Sequence, residues 1–266
     1  MKARTDTIQC HYTLAGPDSA PVILFSHSLA THSGMWKPQV TPFSRDYRVL
    51  CYDTRGHGET DVPRGPYTLA SLARDAANLL DVLGIDKVHW VGISMGGMIG
   101  QAFALAYPER LMSLALCDTT SEIPAEARPV WNERIETATT QGMEPLVEPT
   151  IDRWFSPEFV QRQPQTVATI RDMIRATPVE GFIGCSQAIM ELDFTERLAE
   201  IRAPTLILVG ENDPGTPVAA SELIHAKVKG SELIVVPGAR HLTNIEKAED
   251  YNRALGDFLG LPEHRG

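Results

Sequence analysis

Residues 88–107 restrict the possible folds of this chain more than any other stretch. An apolar run, Val88 to Val91, enters Gly92-Ile93-Ser94-Met95-Gly96, and a helix-forming stretch, Gly97 to Tyr107, leaves it. A strand that becomes a helix within so few residues forces the residue at the bend into a strained backbone and lifts its side chain clear of the sheet. Glycine is needed on both sides because a side chain there would collide with the neighbouring strand or helix. The residue at the bend is Ser94. A hydroxyl presented this way is a nucleophile, and hydrolysis through serine is the leading expectation.

The remaining chain alternates short β-branched runs with helical patterns, which predicts an α/β fold with a mostly parallel sheet flanked by helices. The strands are expected at Val22–Ser26, Arg48–Tyr52, Val88–Ile93, Ser113–Cys117, Thr205–Val209 and Leu233–Val236, with a short leading strand or hairpin at Ile8–Leu14. Leu69, Leu72, Ala73, Ala76, Leu79, Leu80 and Leu83 share one helical face, with Thr68 as cap and Gly84 as stop. From about Ser121 to Thr195 the rhythm breaks into helical patterns such as Val167–Ala176, punctuated by prolines and without a convincing strand. This predicts a helical lid, residues 121–195, inserted into a core made of 1–120 and 196–266. A string of surface helices with no role in the site is the plainer alternative.

Composition limits the partners. With 266 residues the chain suits one elaborated domain, and its 43% hydrophobic and 22% charged residues are ordinary for a globular protein. A formal net charge of −10 argues against nucleic acid or an anionic membrane, though not against a locally cationic pocket. The N-terminal residues carry no apolar stretch, and no window approaches the roughly 18 apolar residues of a membrane span. Cys10, Cys51, Cys117 and Cys185 are scattered and form no ligand or redox pair. His11, His32 and His89 form no spaced metal-ligand set either. The expectation is a cytoplasmic protein with no cofactor and no metal, acting on a small molecule, with a homo-oligomer left open.

Ser94 needs a base, and the base needs an orienting acid. After a strand–serine–helix bend the chain order is serine, acid, histidine. His225 falls within the helical stretch Val218–Val228 and His264 in the tail, so His241, in the loop after the last strand, is the candidate base. Asp118 and Asp213 both end strands at the carboxyl edge of the sheet, where such sites assemble. Asp213 is favoured because Asp213-Pro214-Gly215-Thr216-Pro217 holds a carboxylate at a fixed angle. An oxyanion hole needs two backbone donors, expected from Met95 and from Leu29 in Ser26-His27-Ser28-Leu29-Ala30-Thr31. The side chains of His27 and Met95 are expected to shape the pocket floor. Asp53-Thr54-Arg55-Gly56-His57-Gly58 reads as a structural turn held by Asp53 and Arg55 rather than an anion nest.

With these residues the chain resembles the α/β-hydrolase superfamily and, over most of its length, the 3-oxoadipate enol-lactone hydrolases. The stretches that carry the likeness include Phe25–Thr31, Tyr52–Gly58, Gly92–Gly100, Arg153-Trp154-Phe155, Gly181–Cys185 and His241–Glu246. His27 and Ala30 depart from the asparagine and glycine that family members mostly carry. The resemblance implies attack by Ser94 on a small unsaturated lactone, an acyl-enzyme, and release by water activated by His241. It also implies a substrate carboxylate, for which Arg134 is the candidate partner, with Trp131 and Trp154 as apolar walls. A general carboxylesterase, a lactonase for another ring such as an acyl-homoserine lactone, with perhydrolysis as a side reaction, or a ligand receptor on a hydrolase scaffold are the alternatives.

Overall fold

The runs of Val, Ile and Leu become strands because both faces of the sheet are covered, so no polar alternation is required of them. A computed structural model describes residues 1–261. The strands are β1 (Lys2–Arg4), β2 (Gln9–Ala15), β3 (Val22–Ser26), β4 (Arg48–Tyr52), β5 (Val88–Ile93), β6 (Leu111–Cys117), β7 (Thr205–Gly210) and β8 (Glu232–Val236). Among the described residues they form one eight-stranded sheet in the order β1-β2-β4-β3-β5-β6-β7-β8. The pairings of β1 with β2 and of β2 with β4 are antiparallel, and the other five are parallel. The mostly parallel α/β architecture agrees with the sequence reading. β1 was not anticipated: its three residues are polar or small, and only Ala3 is buried.

Helices α1 (Lys37–Phe43), α2 (Leu69–Val82), α3 (Met95–Ala106), α9 (Val218–Lys227), α10 (Thr243–Glu246) and α11 (Ala248–Leu259) accompany the sheet. α2 starts at Thr68, whose hydroxyl accepts the Ser71 N–H at 3.0 Å while the Ser71 hydroxyl accepts the Thr68 N–H at 3.0 Å. This reciprocal cap satisfies two backbone donors that a helix start otherwise leaves orphaned.

Between β6 and β7 lie α4 (Arg128–Gln141), α5 (Val147–Trp154), α6 (Pro157–Arg162), α7 (Pro164–Ala176) and α8 (Val179–Met190). The two ends of this insertion are zipped together. The Ile123 N–H donates to the Leu192 carbonyl at 3.1 Å and the Phe194 N–H to the Ser121 carbonyl at 2.8 Å, around a bridge between Glu122 and Asp193.

Strand register fixes where function can gather. Ser26 pairs with Gly92, Ile93 with Cys117, Cys117 with Leu208, and Gly210 with Val236. The carboxyl ends of β3, β5, β6, β7 and β8 therefore open onto one edge.

Candidate active site

Ser94 sits at the bend between β5 and α3 with φ 54° and ψ −118°, a combination that L-residues avoid. A Cβ at Gly96 would strike the Ser26 carbonyl, and one at Gly92 would strike the Gly96 carbonyl, so the turn tolerates no side chain at either position. The strain is held by surrounding bonds. The Ser94 N–H donates to the Cys117 carbonyl at 2.9 Å, and the Ser94 carbonyl accepts the Thr119 hydroxyl at 2.8 Å.

His241 arrives in the loop after β8, and its Nε2 lies 2.9 Å from the Ser94 Oγ. Its Nδ1 lies 2.7 Å from Asp213 Oδ2. That carboxylate is fixed in turn by the Thr216 hydroxyl at 2.6 Å and by the N–H groups of Gly215 and Thr216 at 2.7 and 3.1 Å. Burial pushes the Asp213 carboxyl up, but the charge and hydrogen bond of His241, with the Thr216 donors, outweigh it and hold the group below its ordinary value. The turn from Asp213 to Pro217 was expected to hold the carboxylate, and the hydroxyl of Thr216 is the part of it that sequence reasoning did not single out.

Asp118, the other candidate acid, points elsewhere. Its Oδ1 accepts the Gly210 N–H at 2.8 Å and the Thr243 hydroxyl at 2.9 Å, while Oδ2 is buried without a partner among the described residues. It ties the ends of β6 and β7 to the helix that follows His241. Burial, reinforced by the charge of Asp213, pushes its carboxyl well above the ordinary value. His225 lies in α9 with its Nδ1 2.8 Å from the Ser231 hydroxyl. His264 falls outside the described residues.

The backbone N–H groups of Leu29 and Met95 donate to no other group among the described residues. Ser28, Leu29, Ser94 and His241 open onto a cavity of about 440 Å³. Its far side is supplied by the 121–195 insertion through Trp131, Arg134, Arg153, Trp154 and Ile189. Trp154 stacks on His241 with ring centroids 6.3 Å apart. Arg134 packs over Trp131 at 4.6 Å and faces Phe182 at 5.6 Å. No carboxylate comes within ion-pair distance of it among the described residues, and its Nε is buried without a partner. Burial, and then the nearby Arg153, push the Arg134 guanidinium down to about 9. Arg153 is a second cation on this wall that sequence reasoning did not single out. It was visible only beside Trp154, and nothing in its spacing marked it.

One expectation needs correction. His27 does not line the cavity: it is fully buried, with Nδ1 2.8 Å from the Ser28 carbonyl and Nε2 accepting the Thr54 N–H at 2.9 Å. Both ring nitrogens are spent on the backbone, which leaves no polar atom for a ligand. Met95 is likewise wholly buried and absent from the cavity wall. The Asp53 turn is structural. Asp53 accepts the N–H groups of Ser33 at 2.8 Å and Glu59 at 3.0 Å, and Arg55 forms a two-pronged ion pair with Asp75 of α2.

Glu246 joins the insertion to the histidine loop. One oxygen accepts the Ser156 N–H at 2.8 Å and the other the Arg240 N–H at 2.7 Å. Arg240 also donates to the Asp152 carbonyl, and the Leu242 N–H to the Trp154 carbonyl at 3.3 Å.

A strained serine, an imidazole within hydrogen-bond reach and a buried carboxylate behind it, all at the carboxyl edge of a parallel sheet, define a hydrolase-type centre. The chain belongs to the alpha/beta hydrolase fold family, which it matches over residues 21–248. It is 35% identical over 248 residues to 3-oxoadipate enol-lactonase 2 of Acinetobacter baylyi, covering 93% of this chain and 92% of that one. The crystal structure of the enol-lactonase from Burkholderia xenovorans LB400 superposes with a TM-score of 0.95 at 35% identity, covering 98% of this chain and all of the other. A thermophilic esterase from Thermogutta terrifontis, solved with malate bound, gives 0.91 at 31% identity over 98% and 97% of the two chains.

Proposed function

We propose that this hydrolase opens a small carboxylate-bearing enol-lactone, 3-oxoadipate enol-lactone to 3-oxoadipate, through an acyl-enzyme on Ser94. His241 takes the Ser94 proton as the hydroxyl attacks the lactone carbonyl, and Asp213 orients the imidazole and stabilises its charged form. The Leu29 and Met95 N–H groups receive the developing oxyanion. The ring oxygen leaves as an enol, which collapses to a ketone and makes the step one-way. Water activated by His241 then releases the acid. Residues 121–195 form the cap over a core of 1–120 and 196–266. From this cap Arg134 receives the substrate carboxylate, between Trp131 and Trp154.

The observation that carries this reading is a half-buried cation, its Nε enclosed and without an anion among the described residues, in the same cavity as the Ser94–His241 pair at 2.9 Å. A guanidinium in an apolar wall is costly unless a ligand completes it. Similarity to two enol-lactonases supports the choice of ligand. The reading is tested by assaying the purified protein on the enol-lactone, short esters and homoserine lactones. Ser94→Ala and His241→Ala should each lower kcat by about 10⁴-fold or more without loss of fold. Far better turnover of short neutral esters than of the anionic lactone would instead favour a general carboxylesterase. The largely apolar cavity wall (Leu29, Met98, Ile123, Trp131, Ile189, Leu223) and the likeness to an esterase give that second reading its support.

A further inference from the structure

His27 has no access to the cavity, yet its Nδ1 faces the Ser28 carbonyl and the Thr31 hydroxyl of the loop expected to receive the oxyanion, while its Nε2 is anchored on Thr54. A backbone N–H can only donate, so the Thr54 N–H at 2.9 Å requires an unprotonated Nε2. Burial pushes the ring down to about 4, which keeps it neutral near pH 7. The single ring proton therefore sits on Nδ1 and is donated to the Ser28 carbonyl at 2.8 Å. The same carbonyl accepts the Thr31 hydroxyl at 2.7 Å and the Thr31 N–H at 3.3 Å.

This carbonyl belongs to the peptide unit whose N–H is that of Leu29. In a planar trans peptide the C=O and N–H point in opposite directions, so fastening the oxygen fixes where the N–H aims. The oxygen is held on the protein-interior side by His27, and Ser28 and Leu29 meet the cavity on the other. The next peptide is fixed as well: the Ala30 N–H donates to His57 Nε2 at 3.1 Å, at a residue held at φ 60°. Leu29 is thus clamped on both sides while its own N–H stays uncommitted.

We propose that His27 is a positioning residue for the oxyanion hole: by holding the Ser28 carbonyl from behind, it aims the Leu29 N–H at the reacting carbonyl and polarises it. Hydrogen bonding at one end of a peptide unit strengthens donation at the other. The proposal rests on Ser94 being the nucleophile and Leu29 an oxyanion donor.

The test compares p-nitrophenyl acetate with its thiono analogue, whose sulfur is a poor hydrogen-bond acceptor and gains little from an oxyanion hole. His27→Phe keeps a ring and removes both nitrogens, whereas His27→Asn restores an N–H near the Nδ1 position. His27→Phe should lower kcat on the oxo ester by about tenfold or more, less than loss of a whole donor, with KM within about twofold. The oxo-to-thiono rate ratio should fall in step, and His27→Asn should recover most of both. Thr31→Val, which removes the second donor to the same carbonyl, should shift the ratio the same way by a smaller factor. Titration with a fluorophosphonate counts competent Ser94 in every variant, so a partly unfolded sample cannot imitate the effect. An unchanged ratio in His27→Phe and Thr31→Val, with the wild type active and labelled, overturns the positioning role and leaves the hydrolase reading intact. A wild type that neither labels nor turns over ester overturns both.

Discussion

Arg134 carries its charge into a wall of aromatic carbon, with Trp131 at 4.6 Å and no carboxylate to answer it among the described residues. Cation–π contact recovers part of the desolvation cost and leaves the remainder for a ligand to recover. Arg134→Met should therefore stabilise the empty protein by about 1 kcal/mol or more, some 2–4 °C in Tm for a chain of this size. The same change should raise KM for an anionic lactone at least about tenfold while leaving a neutral ester near its wild-type value. Calorimetry and paired kinetics check both halves, and equal effects on the two substrates would remove Arg134 from the carboxylate site. The two aspartates behind His241 give opposite pH signatures. Asp213 is held below its unfolded value, so its contribution is full above that value and is lost as pH falls through the lowered one. Asp118 is raised, so it weakens the fold as pH climbs from the ordinary carboxylate range through the raised value. Asp118→Asn keeps an acceptor for Gly210 and Thr243, and its Tm advantage should be near zero at pH 4 and widen towards pH 8. A pH-independent gap would show that the Asp118 carboxyl titrates alike in the folded and unfolded protein, and that burial does not raise it. Ser94, Asp213 and His241 could be picked out because chain order and turn chemistry mark them. The task of His27 could not, since it depends on a Thr54 N–H 27 residues away.

The strands from β3 to β7 were readable because a strand covered on both faces needs an unbroken apolar run, and few other local structures do, while the edge strand β8 keeps such a run with only Val236 buried. The helices of the insertion were harder to read. In α4 only Ala138 is buried, because the helix lies between solvent and a cavity and needs no apolar stripe. In α8 most of the positions that pack are small, with Phe182 and Ile189 the large exceptions: Gly181 meets the backbone of Gly56, and Gly184 meets the Tyr67 ring. Neither pattern announces a helix. How these elements are held is a matter of a few bonds, chief among them those of Glu246, whose two oxygens take N–H groups from Ser156, which caps α6, and from the His241 loop. Glu246→Gln leaves one of those donors facing an amide N–H. It should cost about 2 kcal/mol in urea denaturation and lower kcat about tenfold through a displaced His241. Stability lost with kcat unchanged would mean that the loop holds its geometry without this tie.

At the scale of the whole molecule, a formal charge of −10 surrounds a cavity that presents two guanidinium groups. The outer field repels an anionic substrate, while the inner cations, partly desolvated, attract it. Raising ionic strength from about 10 to 150 mM shortens the screening length from about 30 to 8 Å, which removes the distant repulsion and leaves the close attraction largely intact. The kcat/KM for an anionic lactone should therefore rise modestly with salt, by about twofold, while that for a neutral ester stays flat. A steep fall would mean that long-range attraction, not the pocket, recruits the substrate. The Glu246 tie bears also on how such a protein can be altered by recombination. A segment transplanted at residues 121–195 alone would arrive without the acceptor that its Ser156 N–H meets. Hybrids with a relative should therefore work only when the stretch from Arg240 to Glu246 travels with the graft.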